Sequence, residues 1–312
     1  MTGRSGGADP GATDPVGTDP VVADAVRASD VAARAAGVEI RMVDDMAGHT
    51  AAERLWTEVW GSSPVPAELL RVLAKTTNYV AAAYVGDRMV GACVGFFHAP
   101  EERALHSHVA GVSAGSVGRG IGFALKLHQR AWVLQQGADA ITWTYDPLVA
   151  RNAHLNLVKL AARAVEYLPG FYGAMPDAIN RGDESDRILV RWDLRDPRVA
   201  AACSGDGPSP GAAGPAGAAG PGGAAAPGGL VTVPVPADIE TLRTTDPAAA
   251  RRWRVAVREG LLPALSGGGS VVGFGPGGYL VHVPADLQAD PPTVTDPPTG
   301  PPADPSTDKG TA

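Results

Sequence analysis

The sequence predicts a mixed α/β fold, in which a mostly antiparallel central sheet is flanked by helices and followed by a small α+β extension. Short runs that alternate apolar and polar residues indicate strands, and apolar residues at helical spacing indicate helices. The order of these elements mixes a hairpin-linked first half with parallel crossovers in the second half. An all-parallel doubly wound sheet and a simple meander are therefore both excluded.

Composition divides the chain into blocks that can bury a core and segments that cannot. The 40 Gly and 28 Pro residues concentrate in three segments that have almost no large apolar side chains. We predict a disordered or weakly helical tail (1–37), the main α/β domain (38–196), a Gly/Ala/Pro-rich linker (197–229), the small extension (230–284) and a disordered Pro-rich tail (285–312). The extension is too thin to hold a core of its own, so we expect it to dock on the main domain.

The elements of the first half follow from capping residues and periodicity. In order, we predict a weak helix from Pro20 to about Ala36 capped by Asp19, a strand from Val38, helices over Met46–Trp60 and Pro66–Thr76, and strands over Tyr79–Val85 and Met89–Phe97. The residues Gly86-Asp87-Arg88 join the last two strands and are typical of a hairpin turn.

The second half alternates strands and helices. We predict strands over Leu105–Val112 and Ala140–Tyr145, helices over Ile121–Gln136 and Ala150–Tyr167, and a strand pair near Gly170–Ala174 and Ile188–Leu194. In the extension we predict strands over Val231–Val235, Val271–Phe274 and Tyr279–Val283, and a helix that begins at Asp246-Pro247.

Charge and cysteine content exclude several functional classes. A net charge of −7 disfavours nucleic acid and anionic membranes as partners, which leaves a small molecule as the expected partner. Cys93 and Cys203 are the only cysteines, so neither a disulfide framework nor a metal site is expected. The sequence has no apolar run typical of a signal peptide or a membrane span, and we expect a cytoplasmic protein.

The most informative segment is a glycine-rich turn between the strand Leu105–Val112 and the helix that starts at Ile121. Free backbone N–H groups and the positive end of the helix converge at such a turn, which predicts an anion site. Gly118, Gly120 and Gly122 have no side chain that would block the approach of a phosphate. A tight connection that binds no ligand is the alternative.

Position and flanking residues distinguish this turn from other phosphate-binding loops. A dinucleotide-binding loop follows the first strand of its domain, whereas this turn follows the fourth. A P-loop requires Lys and then Ser or Thr directly after its last glycine, and Phe123 and Ala124 occupy those positions. Neither type of loop fits the sequence.

The turn resembles the central motif of the GNAT superfamily of N-acyltransferases, [Arg/Gln]-x-x-Gly-x-[Gly/Ala], which lies between the fourth strand and third helix of that fold. Val117-Gly118-Arg119-Gly120-Ile121-Gly122 fills the motif, with Val117 where the family prefers Arg or Gln and Arg119 as a nearby charge. The likeness extends over residues 38–196. It includes the block Asp146-Pro147-Leu148-Val149-Ala150-Arg151-Asn152-Ala153-His154-Leu155-Asn156, which is similar to that of a subgroup of predicted acetyltransferases, and the segment Gly170-Phe171-Tyr172-Gly173.

The resemblance implies that acyl-CoA binds as co-substrate. The expected contacts are Val112, Val117, Gly118, Arg119, Gly120, Ile121, Gly122 and Asn152. It also implies a base for the attacking amine, backbone N–H donors for the oxyanion and an acid for the leaving thiolate.

Three residues are candidates for the chemistry. His108, on one strand face with His106, is the first choice as base because imidazole titrates near neutral pH. Asp146 is the second, because it ends the fifth strand, where the sheet of the family opens around the thioester. Lys159 occupies the position of the usual tyrosine acid, so Tyr172 is the expected replacement.

Each candidate also has a structural interpretation: a hydrogen-bonded histidine for His108, a helix-capping turn for Asp146, and a core or substrate-pocket aromatic for Tyr172. The arginines of the extension helix are expected on a solvated face, with contact to an acidic partner or to the cofactor 3′-phosphate as the alternative. They are Arg251, Arg252, Arg254 and Arg258.

Together these observations predict an acetyl-CoA-dependent N-acetyltransferase that acts on an unidentified, small-molecule amine. Another acyl-CoA donor and transfer to oxygen remain open, and so does a homodimer. The alternative from a different class is a non-catalytic CoA-binding or regulatory module with the same fold.

Overall fold

The computed structural model describes residues 19–173, 182–204 and 228–285. These residues form two compact units. The first contains residues 19–143, 159–162 and 191–204, and the second contains residues 144–158, 163–173, 182–190 and 228–285. Most of the predicted disordered segments lie outside the described residues. Within those residues, no helix has the length and apolar character needed to cross a membrane.

Among the described residues, seven strands precede residue 194. They are β1 (Glu39–Met42), β2 (Tyr79–Val85), β3 (Arg88–Phe97), β4 (Ala104–Val112), β5 (Ala140–Tyr145), β6 (Arg163–Leu168) and β7 (Arg187–Asp193). In the first unit the strand order is β1-β2-β3-β4-β5-β7. The pairs from β1 to β4 are antiparallel, and β4 and β5 are parallel. The predicted mixed, mostly antiparallel α/β class is therefore confirmed.

Four helices of the first unit follow their sequence signals closely. They are α1 (Pro20–Ala36), α2 (Met46–Trp60), α3 (Ala67–Lys75) and α4 (Ile121–Gln135). The Asp19 and Asp45 carboxylates accept hydrogen bonds from backbone N–H groups at the starts of α1 and α2, as N-cap residues do. The first helix packs along α4. It is therefore part of the folded unit, although its composition alone predicts only a weak helix.

The predicted helix over Ala150–Tyr167 is wrong in its second half. Helix α5 (Ala150–Ala153) continues as a π-helical segment, His154–Lys159, and the chain then enters β6. The helix ends where Ala161 adopts a left-handed backbone conformation with φ of 52°. In the second unit β7 lies between β5 and β6. The strand predicted from Gly170 is instead a turn, and its last residue, Ala174, lies outside the described residues.

Helix α6 (Pro197–Ser204) belongs to the first unit and lies at the start of the predicted linker. The C-terminal extension consists of β8 (Gly228–Val233), α7 (Ile239–Thr245), α8 (Pro247–Ser266), β9 (Ser270–Gly275) and β10 (Gly278–Pro284). The three strands of the extension form an antiparallel sheet in the order β8-β10-β9. Helix α8 contacts β6, and the Tyr279 hydroxyl donates to the Pro147 carbonyl at 2.8 Å. The extension therefore shares the second unit with residues 144–158, 163–173 and 182–190.

Candidate functional site

The glycine-rich turn connects β4 to α4 through two residues with left-handed backbone. Gly118 has φ of +85° and Gly120, the N-cap of α4, has φ of +79°. A Cβ atom built on either glycine, or on Gly122, meets nothing within 4 Å. The backbone N–H groups of the first turn of α4 have no partner inside the helix, so they point into open space. This geometry suits a phosphate group.

The other predicted cofactor contacts lie on both sides of this turn. Val112 ends β4 and is half-buried, Ile121 is buried beneath the start of α4, and Arg119 is exposed. Val117 is 63 % exposed, which is unusual for an apolar side chain. These residues belong to the first unit.

Strands β4 and β5 diverge beside the turn. They pair in register only at Ala104↔Ala140, Leu105↔Ile141 and His106↔Thr142. Strand β4 continues for six residues beyond this point, to Val112. The backbone N–H and C=O groups on this side of β4 are therefore available to an extended ligand. We call this divergence the fork.

A bulge in β4 lies at the fork. Val94 and Gly95 on β3 face Val109 and Ser107, so His108 is the extra residue without a partner. The rings of His106 and His108 both lie against Phe96, at centroid distances of 5.4 and 5.8 Å. A bulge re-aims side chains and leaves a backbone group unpaired, which is why bulges are common beside active sites.

Burial shifts both histidines toward the neutral form. It lowers the pKa of His106 from 6.5 to about 4, with contributions from the charges of His108, His98 and Lys126. His108 is exposed on one side, and desolvation by the protein on the other side lowers its pKa as well. Both imidazoles are therefore neutral at pH 7 and can accept a proton.

A chain of hydrogen bonds leads away from His106. Its Nδ1 lies 3.2 Å from the Thr142 hydroxyl, and the same hydroxyl lies 2.9 Å from Nε2 of His98. On the other side of the His98 ring, Nδ1 lies 2.9 Å from a Glu102 carboxylate oxygen. We call these four residues the histidine chain. Local sequence patterns do not reveal it, because His106 and Thr142 come from β4 and β5, whereas His98 and Glu102 come from the connection between β3 and β4.

A buried lysine lies beneath the fork. The Lys126 ammonium, on α4, donates to Ser107 at 2.8 Å and to Gln129 at 3.3 Å, and it lies 3.8 Å from the centre of the Trp143 ring. Because all three partners are neutral, burial lowers the pKa of Lys126 to about 8. A lysine on the buried face of a predicted helix was the available signal. That signal is weak, because lysine stems often run along apolar surfaces to reach water.

Asp146 lies in the second unit, and its carboxylate is fully engaged. Arg254 donates to one oxygen at 2.7 Å and Arg243 to the other at 2.5 Å, and both arginines also contact Asp183. Burial raises the pKa of Asp146, but the two guanidinium groups outweigh it and lower the value to about 2. A base at this position requires a raised pKa, whereas the two ion pairs stabilise the ionised carboxylate and favour a structural role for Asp146. The Leu148 N–H also donates to this carboxylate, which agrees with the turn interpretation.

The prediction that the arginines of α8 form a solvated face is wrong for two of the four. Arg254 is 2 % exposed, and Arg258 pairs with Asp186 at 2.7 Å. Arg251 and Arg252 are exposed as expected. These ion pairs attach the extension to the rest of the second unit.

The remaining predicted residues also lie in the second unit. The Tyr172 side chain is 43 % exposed, and its hydroxyl lies 3.1 Å from the Thr144 hydroxyl. Asn152 is half-buried in α5, and its neighbour Arg151 pairs with Glu240 at 2.7 Å. Within the described residues, no cluster of His, Cys, Asp and Glu has the arrangement needed to hold a metal ion.

Comparison with known proteins gives similar structures only. No family model and no curated protein matches the sequence. An Escherichia coli ribosomal-protein-S18-alanine N-acetyltransferase is 12 % identical, with a TM-score of 0.41 over 50 % of this chain and 94 % of the other. A GNAT-family acetyltransferase from Streptococcus pneumoniae is 12 % identical, with a TM-score of 0.41 over 49 % and 98 %. A Salmonella typhimurium protein assigned as an acetyltransferase, whose structure includes its cofactor acetyl-CoA, is 13 % identical, with a TM-score of 0.43 over 51 % and 95 %.

Proposed function

We propose that this chain is an acyl-CoA-dependent N-acyltransferase that transfers an acetyl or related acyl group to a small-molecule amine. The observation that carries the proposal is the turn before α4, where Gly118 and Gly120 adopt left-handed backbone and leave open space. There the CoA pyrophosphate accepts hydrogen bonds from backbone N–H groups. The motif from Val117 to Gly122 matches the same function by resemblance.

The fork would hold the rest of the cofactor. The pantetheine arm carries amide groups, and they pair with the backbone of β4 beyond His106, where β5 has moved away. The thioester then lies near the bulge at His108. Backbone N–H groups freed by the bulge are suited to stabilise the oxyanion that forms on the carbonyl oxygen.

His108 serves as the base in this proposal. Its imidazole is neutral at pH 7 because burial lowers its pKa, and it belongs to the unit that carries the turn and the fork. It takes a proton from the substrate ammonium, and the free amine then attacks the thioester carbonyl. Roles for Asn152 and Tyr172 stay predictions, and Asp146 is assigned to structure.

A CoA-binding protein without catalysis is the second candidate. The observation that favours it is the state of two predicted catalytic groups, since Asp146 is paired with arginines and the Tyr172 hydroxyl with Thr144. Incubation of the protein with acetyl-CoA and a panel of primary amines distinguishes the two. Thiol release that depends on both protein and amine supports the enzyme. Tight binding of CoA without release by any amine supports the second candidate.

A further inference from the structure

The histidine chain connects His106 at the fork to the Glu102 carboxylate at its other end. Glu102 lies beside Nδ1 of His98, Thr142 lies between the two rings, and all contacts are between 2.9 and 3.2 Å. An ionised carboxylate only accepts hydrogen bonds, so Nδ1 of His98 carries a hydrogen. The charge on His98 then determines whether each of the other three nitrogens, Nε2 of His98 and both ring nitrogens of His106, carries a hydrogen.

Donor and acceptor rules allow two states of the histidine chain. When His98 is protonated, its Nε2–H donates to the Thr142 oxygen, the Thr142 hydroxyl donates to Nδ1 of His106, and His106 carries its hydrogen on Nε2. When His98 is neutral, every one of these hydrogen bonds reverses. His106 then carries its hydrogen on Nδ1, and its Nε2 is a bare acceptor. The charge of one histidine therefore sets the tautomer of the other.

The contacts of the two rings favour a positive charge on His98 over one on His106. The Glu102 carboxylate lies 2.9 Å from Nδ1 of His98, where it stabilises a positive charge on that ring. His106 has no carboxylate contact among the described residues, and it is influenced by His108, His98 and Lys126, which all oppose a charge on it. Its pKa of about 4 keeps the ring neutral at pH 7. His106 can therefore pass a proton without holding one.

We propose that His106 is the acid that protonates the departing CoA thiolate, and that His98 stores the proton and delivers it through Thr142. This inference rests on the proposed function. His106 is the last residue of β4 that pairs with β5, so it lies at the closed end of the fork, beside the position proposed for the thioester. Its Nε2 makes no hydrogen bond within the part of the chain that the structure describes, and is available to a ligand.

The proton transfer balances. The C–S bond of the tetrahedral intermediate breaks, and its electron pair leaves on sulfur. The sulfur takes the hydrogen from Nε2 of His106, Nδ1 of His106 takes the hydroxyl hydrogen of Thr142, and the Thr142 oxygen takes the hydrogen from Nε2 of His98. A thiolate and a charged His98 become a thiol and a neutral His98.

The chain can be recharged from solvent. His98 lines an open pocket of about 420 Å³, together with Thr77, Arg103 and Gln136. Water in that pocket returns a proton to His98 after each turnover. This arrangement supplies the acid function for which the sequence predicts Tyr172, because Lys159 occupies the position of the usual tyrosine.

The coupling between the two histidines is measurable in the free full-length protein. Long-range nitrogen–proton NMR spectra of histidine-labelled protein, recorded from about pH 5 to about pH 9, report the tautomer of each ring through the range where imidazole titrates. We expect His106 to change from the Nε2–H to the Nδ1–H tautomer at the pH where His98 loses its charge. Thr142→Val should abolish this coupled change, and Thr142→Ser, which keeps the hydroxyl, should retain it. A His106 tautomer that stays fixed while His98 titrates overturns the proposal.

Kinetics provide the second measurement. Thiol release from acetyl-CoA should be slower by on the order of 10²-fold in Thr142→Val, and the falling limb of the pH profile, which reports the charged His98, should disappear. Thr142→Ser should keep both the rate and the limb. A wild-type rate and profile in Thr142→Val overturn the relay. Failure of the unmodified protein to bind CoA would instead remove the proposed function and leave the NMR result standing.

Discussion

Replacement of Lys126 by Met should stabilise the protein at neutral pH. Lys126 is 6 % exposed, and its ammonium contacts only neutral groups: the Ser107 hydroxyl, the Gln129 amide and the Trp143 ring. The nearby thiol of Cys93 does not compensate the charge, because burial raises the pKa of that thiol. Met fills a similar volume without a charge.

The structure gives the size of this effect. A fall in the pKa of Lys126 from 10.5 to about 8 corresponds to about 3 kcal/mol for holding the charge in the folded state. Loss of the hydrogen bonds made by Nζ costs about 1 kcal/mol, so the expected net gain at pH 7 is about 2 kcal/mol.

The dependence on pH follows from the direction of the shift. The folded pKa lies below the unfolded value, so the penalty is present in full below about pH 8 and is released between about pH 8 and pH 10.5. The native protein should therefore gain stability with pH, whereas the Met variant should not. Their free energies of unfolding should converge near pH 9.5, after a relative change of about 2 kcal/mol.

Urea unfolding of both proteins at pH 7 and at pH 9.5 measures this difference. Lys75→Met is the matched control, because Lys75 is exposed at the end of α3 and its replacement should give no gap that changes with pH. If Lys126→Met is less stable than the native protein at pH 7, or if the gap is the same at both pH values, the account of a dry, unpaired ammonium is wrong.

Two further predictions concern His108, the proposed base, and Asp146, the carboxylate paired with arginines. His108→Gln should lower kcat/KM by on the order of 10²-fold to 10⁴-fold and remove the part of the pH profile that rises with pH. In the native protein this rise should lie on the acid side of pH 6.5, because desolvation lowers the pKa of His108. A rise that is retained in the variant excludes His108 as the base. Asp146→Asn should leave the rise with pH in place but lower the free energy of unfolding by about 3 kcal/mol, because Arg243 and Arg254 lose a buried partner. The exposed Asp87→Asn is its control, and an equally small effect in both would show that the ion pairs contribute little.

Much of the first unit could be predicted from local patterns. Caps such as Asp19, alternation along β4 and the glycines before Ile121 are local signals, and the structure has the elements that they predict. The end of α5 was not predictable in this way. The left-handed Ala161 and the strand after it depend on pairing with β7, which is distant in sequence.

The site was predictable only where one segment carries the information. The turn from Gly118 to Gly120 lies in one segment. The pairing of Asp146 with Arg254 joins residues 108 positions apart, and the histidine chain brings together β4, β5 and the connection between β3 and β4. The bulge at His108 also moves Ala110 off the strand face that carries His106 and His108. Ala110 lies opposite Cys93, and the Cys93 thiol is on the other face of the sheet, beside Ser107. Register of this kind cannot be derived from alternation alone.

Binding of CoA to Gly120 variants, measured by isothermal titration calorimetry, tests the central claim most directly. Gly120→Asp places a carboxylate in the open space before α4, where the pyrophosphate is proposed to bind. Gly137→Asp is the matched control, since Gly137 has φ of +80° and equally open surroundings, so both variants carry the same charge and backbone strain. We predict that the native protein and Gly137→Asp bind CoA and that Gly120→Asp does not. Normal binding by Gly120→Asp, or no binding by the native protein, would contradict the assignment of this turn as the phosphate site.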